Sequence, residues 1–386
     1  MPAAAAAKVE EKNLALESSS RAASASGSSV TLKYDEAAAR IKQVAPASII
    51  IMLLTMPFYF LVLLPLTILA VLVVVVPWLL CKSGDDRIRS QSSKTAEATA
   101  LGRFHNYTCG LGPDLYAWAF LPLHLRLAVR GATIPWFFTR TIFDAGTGVA
   151  GVMLGRTAFL DASIRYAVKE GGVKNLVLCG AGFDTRALRM ASDLEGIAVY
   201  EADSEATQAV KLAKLRRAGL VPPANTTFCP INFNDQDLME VLREHGFDAT
   251  QKTIVIWEGV AMYLSAETVG GFVSSISKNL VPGSFLAMDW FWNTLDKPRW
   301  KGHFHGHDLA IKLARNKGEP YLSGFEEPFV PATVQEYFEE RGLDLVDHVM
   351  VKSDAAIERY LTLKNGDRIG RSNEVNNFML LRVPDA

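Results

Sequence analysis

In the stretch Asn175–Arg186, NLVLCGAGFDTR, a short apolar run leads straight into two glycines one residue apart, Gly180 and Gly182. Glycine at both places removes side chains where a backbone must turn sharply and approach a ligand closely. The third glycine of a dinucleotide loop is replaced by Thr185, so tight packing over a pyrophosphate is not being built, and a nucleoside without phosphates fits better. About 20 residues on, the run VYEADSE supplies the second half of such a site. There Glu201 or Asp203, two apart and so on one side of a strand, could accept hydrogen bonds from both ribose hydroxyls. Asp203 also reads as the acid that opens a helix starting at Glu205.

Other groupings carry less. GTGVAG, Gly146–Gly151, matches the dinucleotide fingerprint by letter, but it follows TRTIFDA, which makes a poor core strand, so it reads better as a loop or hinge. The alternating His303, His305 and His307 could supply a general base for a hydroxyl acceptor, or a solvated loop, but lack the Cys or acid partners of a metal site. No metal is expected. Cys81, Cys109, Cys179 and Cys229 have no paired spacing and read as reduced thiols. A formal net charge of −1 excludes a general attraction to nucleic acid.

These residues need a frame. From residue 174 onward, strands expected at Asn175–Cys179, Ala198–Tyr200, Thr226–Phe233, Thr253–Trp257 and Ser284–Trp290 alternate with helices near Glu205–Ala218, Asp235–His245 and Ala266–Leu280. Such alternation means an α/β fold, a parallel sheet covered by helices on both faces. A helix over Ala332–Arg341 and late strands near Leu343–Val351 and Phe378–Val383 would complete one edge. Ser265 is placed to cap the helix at Ala266, so Glu258 and Tyr263 fall at the carboxyl ends of the strands, the edge where open α/β sheets bind ligands.

The remainder precedes this core. Residues 1–47 read as a disordered Ala/Ser-rich tail, 82–93 as a polar linker, and 94–173 as a mainly helical, aromatic-rich segment forming a lid on the site. Between them, residues 48–81 hold the apolar run SIIIMLLTMPFYFLVLLPLTILAVLVVVVPWLL. At about 1.5 Å per residue it would make a helix of roughly 50 Å, longer than the ~30 Å hydrocarbon core. It therefore crosses as one kinked transmembrane span or folds back as a re-entrant hairpin at Pro65. Basic residues flank both sides, leaning slightly toward a cytosolic catalytic domain.

Taken in order, Arg156-Thr157 with Asp161, NLVLCGAGFDTRALRM, VYEADSEATQAVKLAKL and IWEGVAMYL resemble the leucine carboxyl methyltransferase family of S-adenosyl-L-methionine-dependent enzymes, particularly its broad branch acting on small molecules. The likeness runs from about Ser93 to the C-terminus and leaves out the tail and the apolar run. It implies a class I methyltransferase, Rossmann-like and doubly wound, with S-adenosyl-L-methionine as cofactor. It also implies that Arg156 pairs with the cofactor's carboxylate, that Gly180 and Gly182 form its loop, and that Asp203, with Glu201 beside it, holds the ribose. Glu258 would sit near the cofactor's amino group and the reaction centre. Where the family has Asp-Leu for the adenine this chain has Asn232-Phe233, whose amide oxygen and ring could still serve. Lys94 resembles a basic residue near the family's start.

A carboxylate acceptor is already ionised at neutral pH and needs no general base, which suits the lack of a Ser/His/Asp or paired-acid constellation. The expected function is thus O-methylation of a small or lipid-soluble molecule by a membrane-bound methyltransferase. Two alternatives are a non-catalytic membrane scaffold on the same fold, suggested by Asn232-Phe233, and a nucleotide-dependent oxidoreductase.

Overall fold

A computed structural model of the chain describes residues 94–108, 110–122, 148–233, 235–316, 318–362 and 372–385. The apolar run at 48–81, the tail, the linker, Cys81 and Cys109 all lie outside these residues. Among the described residues, no helix is long and apolar enough to cross a membrane.

The described chain opens with α1 (Lys94–Thr108), a 3-10 turn at Tyr116–Phe120 and α2 (Val149–Lys169). There follow β1 (Asn175–Cys179), α3 (Arg186–Arg189), β2 (Ala198–Asp203), α4 (Glu205–Arg217), β3 (Thr226–Pro230), α5 (Leu238–Glu244) and β4 (Thr253–Trp257). The last third comprises α6 (Ala266–Asn279), β5 (Phe285–Phe291), α7 (His307–Asn316), α8 (Pro331–Glu339), β6 (Asp344–Met350), α9 (Asp354–Leu361) and β7 (Asn376–Arg382). The seven strands form one sheet in the order β3-β2-β1-β4-β5-β7-β6. All neighbours run parallel except β7, which is antiparallel to both β5 and β6. The expected α/β sheet is present, with one reversed strand that the alternation of elements does not announce.

The central strands are apolar without a break because both faces are covered. Leu176, Leu178, Val199, Ile254 and Ile256 enter one core with Phe159, Leu160 and Ile164 of α2. Val177, Cys179, Tyr200, Val255 and Trp257 enter the other, with Val269, Val273 and Ile276 of α6. Each fully buried aliphatic side chain contributes about 2 kcal/mol. The helices start where short polar side chains accept the orphan amides: Ser204 from Thr207, Asp237 from Met239 and Glu240, Ser265 from Thr268, and Ser353 from Ala356.

Three expectations change. β2 continues to Asp203, past its expected end at Tyr200, because Glu201 and Ala202 keep pairing with β1 and β3. β3 stops at Pro230, since a chain entering the 232–237 turn can no longer follow β2, and this leaves Asn232 and Phe233 in the loop beyond it. The helix α2, expected within a lid, is built into the sheet's core through Phe159, Leu160 and Ile164. Of GTGVAG, Gly148 (φ +62°) is the N-cap of α2, where an added Cβ would meet the backbone of Ser372 and Asn373 at 2.5 Å. That glycine is needed for close packing at a helix start, and no described strand precedes it.

Candidate functional site

The strand order reverses between β1 and β4, and the carboxyl ends of β1, β2, β4 and β5 converge there, opening the crevice in which doubly wound sheets hold ligands. The loop after β1 turns through Gly180 (φ +70°) and Gly182 (φ +46°). It is pinned to β2 by the amides of Gly180 and Ala181, both donating to the Ala202 carbonyl at 2.8 and 3.1 Å. A Cβ on Gly180 would stand 2.7 Å from Val260 Cγ2, whereas one on Gly182 would make only ordinary contacts, with Ala96 Cβ at 3.6 Å and the Gly180 carbonyl at 3.9 Å. Alanine at either position incurs the left-handed backbone penalty of about 1–2 kcal/mol, and Gly180 adds a clash. Gly180→Ala should therefore lower the thermal midpoint more than Gly182→Ala; equal or inverted losses in a melting series would refute this account of the loop.

Asp203 ends β2 half-buried beside this loop, its carboxylate accepting from the Gly182 and Ser204 amides at 2.6 Å each. Glu201, two residues earlier, is 2% exposed and receives the Lys211 ammonium at 2.5 Å. Burial pushes its carboxyl up against the pull of Lys211. Of the two acids weighed for the ribose, Glu201 is thus engaged by α4, and Asp203 is the one presented to the glycine loop. Asn232 and Phe233 lie just past β3 on the same edge, both exposed; Asn232 Nδ2 donates to Asp235 at 2.5 Å, and the Phe233 ring is 43% exposed.

Arg156 comes from α2 and Glu258 from the end of β4. Arg156 Nε lies 2.9 Å from Glu258, and its Nη1 donates to Asp289 of β5 at 3.0 Å. Asp289 also accepts from the Gly259 amide at 2.6 Å. Glu258 in turn receives Arg186 Nη1 at 2.5 Å, and Arg186 reaches Asp184 at 2.5 Å and Asp161 at 2.9 Å. Arg189 pairs with Asp161 as well. Arg186, at 2% exposure, joins α2, the glycine loop and β4 in one buried ion-pair network.

The α1 segment is fastened to the same loop. Arg103 donates to the Phe183 carbonyl at 2.6 Å and to Asp114 at 2.8 Å, Asp114 accepts from Thr185 Oγ1 at 2.7 Å, and Phe120 stacks on Phe183 with centroids 4.7 Å apart.

Burial alone would raise the carboxyls of Asp161, Asp184 and Glu258; the adjacent guanidiniums outweigh it and hold all three below the usual carboxylate range. Folded values below unfolded ones mean that this stabilisation is complete above the unfolded pKa of about 4 and is lost as pH falls through the folded values. Thermal midpoints should therefore drop steeply below about pH 4, and Glu258→Gln should flatten that limb. An unchanged acid limb in Glu258→Gln would remove Glu258 from the account.

The histidines do not converge. His303 packs edge-on against Trp300, with centroids 5.4 Å apart. His307 lies buried under Phe291, neither ring nitrogen has a hydrogen-bond partner, and burial lowers it to about 4 against the pull of Asp308. Among the described residues no group of His, Cys, Asp or Glu is disposed to hold a metal. Cys179 and Cys229 are buried free thiols, and burial raises Cys229 to about 11. Sequence reasoning did not assign Arg186, Asp184, Asp289, Arg103 or Asp114 a role. A signal for Asp289 was present: it is the one acid in an otherwise apolar core strand, FLAMDWF.

The fold is a mixed α/β, methyltransferase-like one on a seven-stranded sheet with a reversed seventh strand. A sequence profile described as leucine carboxyl methyltransferase matches residues 132–277. A Mycobacterium avium (strain 104) protein named as an S-adenosyl-L-methionine-dependent methyltransferase is 29% identical over 229 residues, 53% of this chain and 72% of its own length. The similarly named YktD of Bacillus subtilis (strain 168) is 30% identical over 205 residues, 52% of this chain and 65% of its own. A second M. avium relative of the same name is 30% identical over 207 residues, 50% of this chain and 67% of its own. The chain belongs to the leucine carboxyl methyltransferase family, and it is an S-adenosyl-L-methionine-dependent methyltransferase. The aligned stretches span about two-thirds of these relatives, and the profile match at 132–277 does not include the apolar run.

Proposed function

We propose that the protein O-methylates a carboxylate on a small or lipid-soluble molecule, that the apolar run at 48–81 holds it in a membrane, and that its catalytic domain faces the cytosol. The observation that carries the cofactor half of this reading is the meeting, at one crevice, of the Gly180–Gly182 turn, the Asp203 carboxylate and the Arg156–Glu258 pair. The site's polar groups suit the cofactor: a carboxylate to accept from the ribose hydroxyls, a guanidinium to donate to the methionine carboxylate, and a second carboxylate to accept from the amino group.

In this reading Asp203 holds the ribose, Arg156 the cofactor's carboxylate and Glu258 its amino group. Gly180 and Gly182 admit the chain of the methionine moiety, while Asn232 and Phe233 receive the adenine through an amide and a ring face. The bound cofactor supplies a methyl group activated by its sulfonium. The protein's contribution is alignment and exclusion of water, which suits an acceptor that arrives already ionised. The α1 segment, fastened through Arg103, Asp114 and Phe120, fixes the loop on which that alignment depends.

Calorimetric titration of the detergent-solubilised full chain with S-adenosylhomocysteine tests the assignment. A charge-assisted hydrogen-bond pair is worth about 1.5–3 kcal/mol, so Asp203→Asn should weaken binding roughly 10- to 100-fold. Wild-type affinity in this variant would sink the ribose assignment. Incubation with labelled cofactor and a cell extract then asks whether the label enters a base-labile methyl ester, as a carboxylate acceptor requires.

A further inference from the structure

The connection between β5 and α8 carries surface chemistry that the site does not use. It leaves the carboxyl end of β5 and stays against it: the Asn293 amide donates to the Phe325 carbonyl at 2.8 Å, and the Leu322 amide to the Met262 carbonyl at 2.7 Å. Within it, α7 buries His307, Ala310 and Ala314. Its outward side carries Leu309, Lys312, Leu313 and Asn316, spaced as one helix face, with the leucines 41% and 43% exposed. Single exposed leucines need no explanation, but two a turn apart flanking a lysine make the outer face itself amphipathic. From Lys297 to Asn316 the chain holds five basic residues against one acid, Asp308; Lys297 and Arg299 pair with Glu326 and Glu327, and Lys301, Lys312 and Arg315 carry the remaining positive charge.

The described chain starts at the same edge. The described domain begins with α1, where Ala96 Cβ lies 3.6 Å from the place a Cβ on Gly182 would take, so the chain arrives at the carboxyl ends of the strands. Residues 81–93 connect that point to the apolar run and span at most roughly 45 Å when extended. A domain tethered there can bring this edge, and α7 with it, to the bilayer surface.

We propose that α7 rests on the anionic surface of that membrane, with Leu309 and Leu313 among the headgroups and Lys301 and Lys312 on acidic lipids, so that the mouth of the methyl-transfer site takes its acceptor from the bilayer. The proposal rests on the membrane-anchor reading above. Apolar side chains at the headgroup boundary and basic residues over acidic lipid each favour an interfacial helix.

The test uses the full chain with Cys81 and Cys109 replaced by serine and an environment-sensitive fluorophore on Leu313→Cys. It is reconstituted in nanodiscs of phosphatidylcholine alone or in equal parts with phosphatidylserine. Blue-shifted emission quenched by spin-labelled lipid, stronger with phosphatidylserine, is expected. Lys301→Gln and Lys312→Gln should each lower the docked-to-free ratio roughly fivefold. Blue-shifted emission that persists in detergent and resists the lipid quencher means that the chain's own 123–147 segment or a second copy covers this face, and overturns the proposal. Water-like emission from protein retained in the discs overturns it while leaving the anchor intact. Protein recovered outside the discs overturns both.

Discussion

Arg156→Ala is expected to remove cofactor binding and to destabilise the protein together, the largest combined effect of any single change at the site. The substitution leaves Asp289, fully buried, with only the Gly259 amide, and leaves Glu258 with Arg186 alone. Stranding a buried charge by deleting its partner costs about 3–5 kcal/mol. The same deletion takes away the guanidinium proposed for the cofactor's carboxylate and leaves two acids facing it. S-adenosylhomocysteine affinity should fall by about a hundredfold or more. Arg156→Lys separates the two losses, because it keeps the charge but not the planar fork, and should recover stability better than affinity. Calorimetry and thermal unfolding on both variants decide it. An alanine variant that melts lower yet binds normally would leave Arg156 a structural residue.

Arg186→Leu is expected to cost folding at least as much. The side chain meets Asp161, Asp184 and Glu258 within 2.9 Å, and Glu258 and Asp184 share one of its terminal nitrogens. Leucine fills part of the volume but leaves the three carboxylates to repel one another, with Arg189 and Arg156 as remaining counter-charges. A loss of about 3–5 kcal/mol is a large share of the 5–15 kcal/mol by which a domain is held folded. The soluble yield and the urea midpoint of Arg186→Leu should both drop; a midpoint within error of wild type would show the network to be dispensable.

The parts of this architecture legible in the sequence are those written in local pattern. β1 and β4 are found at their expected limits because unbroken apolar runs bounded by glycine or polar residues leave little choice, and α6 starts at Ala266 because Ser265 caps it. The Gly180–Gly182 turn was readable for the same reason, since a strand followed by glycines constrains the backbone. What could not be read lies in pairing between distant segments. Nothing local to Phe378–Val383 says that this strand enters the sheet between β5 and β6 and runs backwards. Glu201 and Asp203 look equivalent along a strand, and only Lys211, ten residues on and one helix away, separates them. Arg186 was visible as a letter, yet its three partners come from α2, its own loop and the end of β4.

The insertion of β7 also has a kinetic side. Phe291 must find Asn376, and Met350 must find Asn377, before the far half of the sheet closes, whereas β1, β2 and β3 are joined through short crossovers. Loop-closure entropy rises only slowly with separation, so the long connection costs little at equilibrium, but contacts this remote in sequence slow the search for them. Refolding should therefore pass through a stage in which the half built on β1 to β4 is assembled while β5 still lacks its neighbour. During that interval an exposed parallel edge of Leu286, Ala287 and Met288 is the surface most open to pairing with another chain.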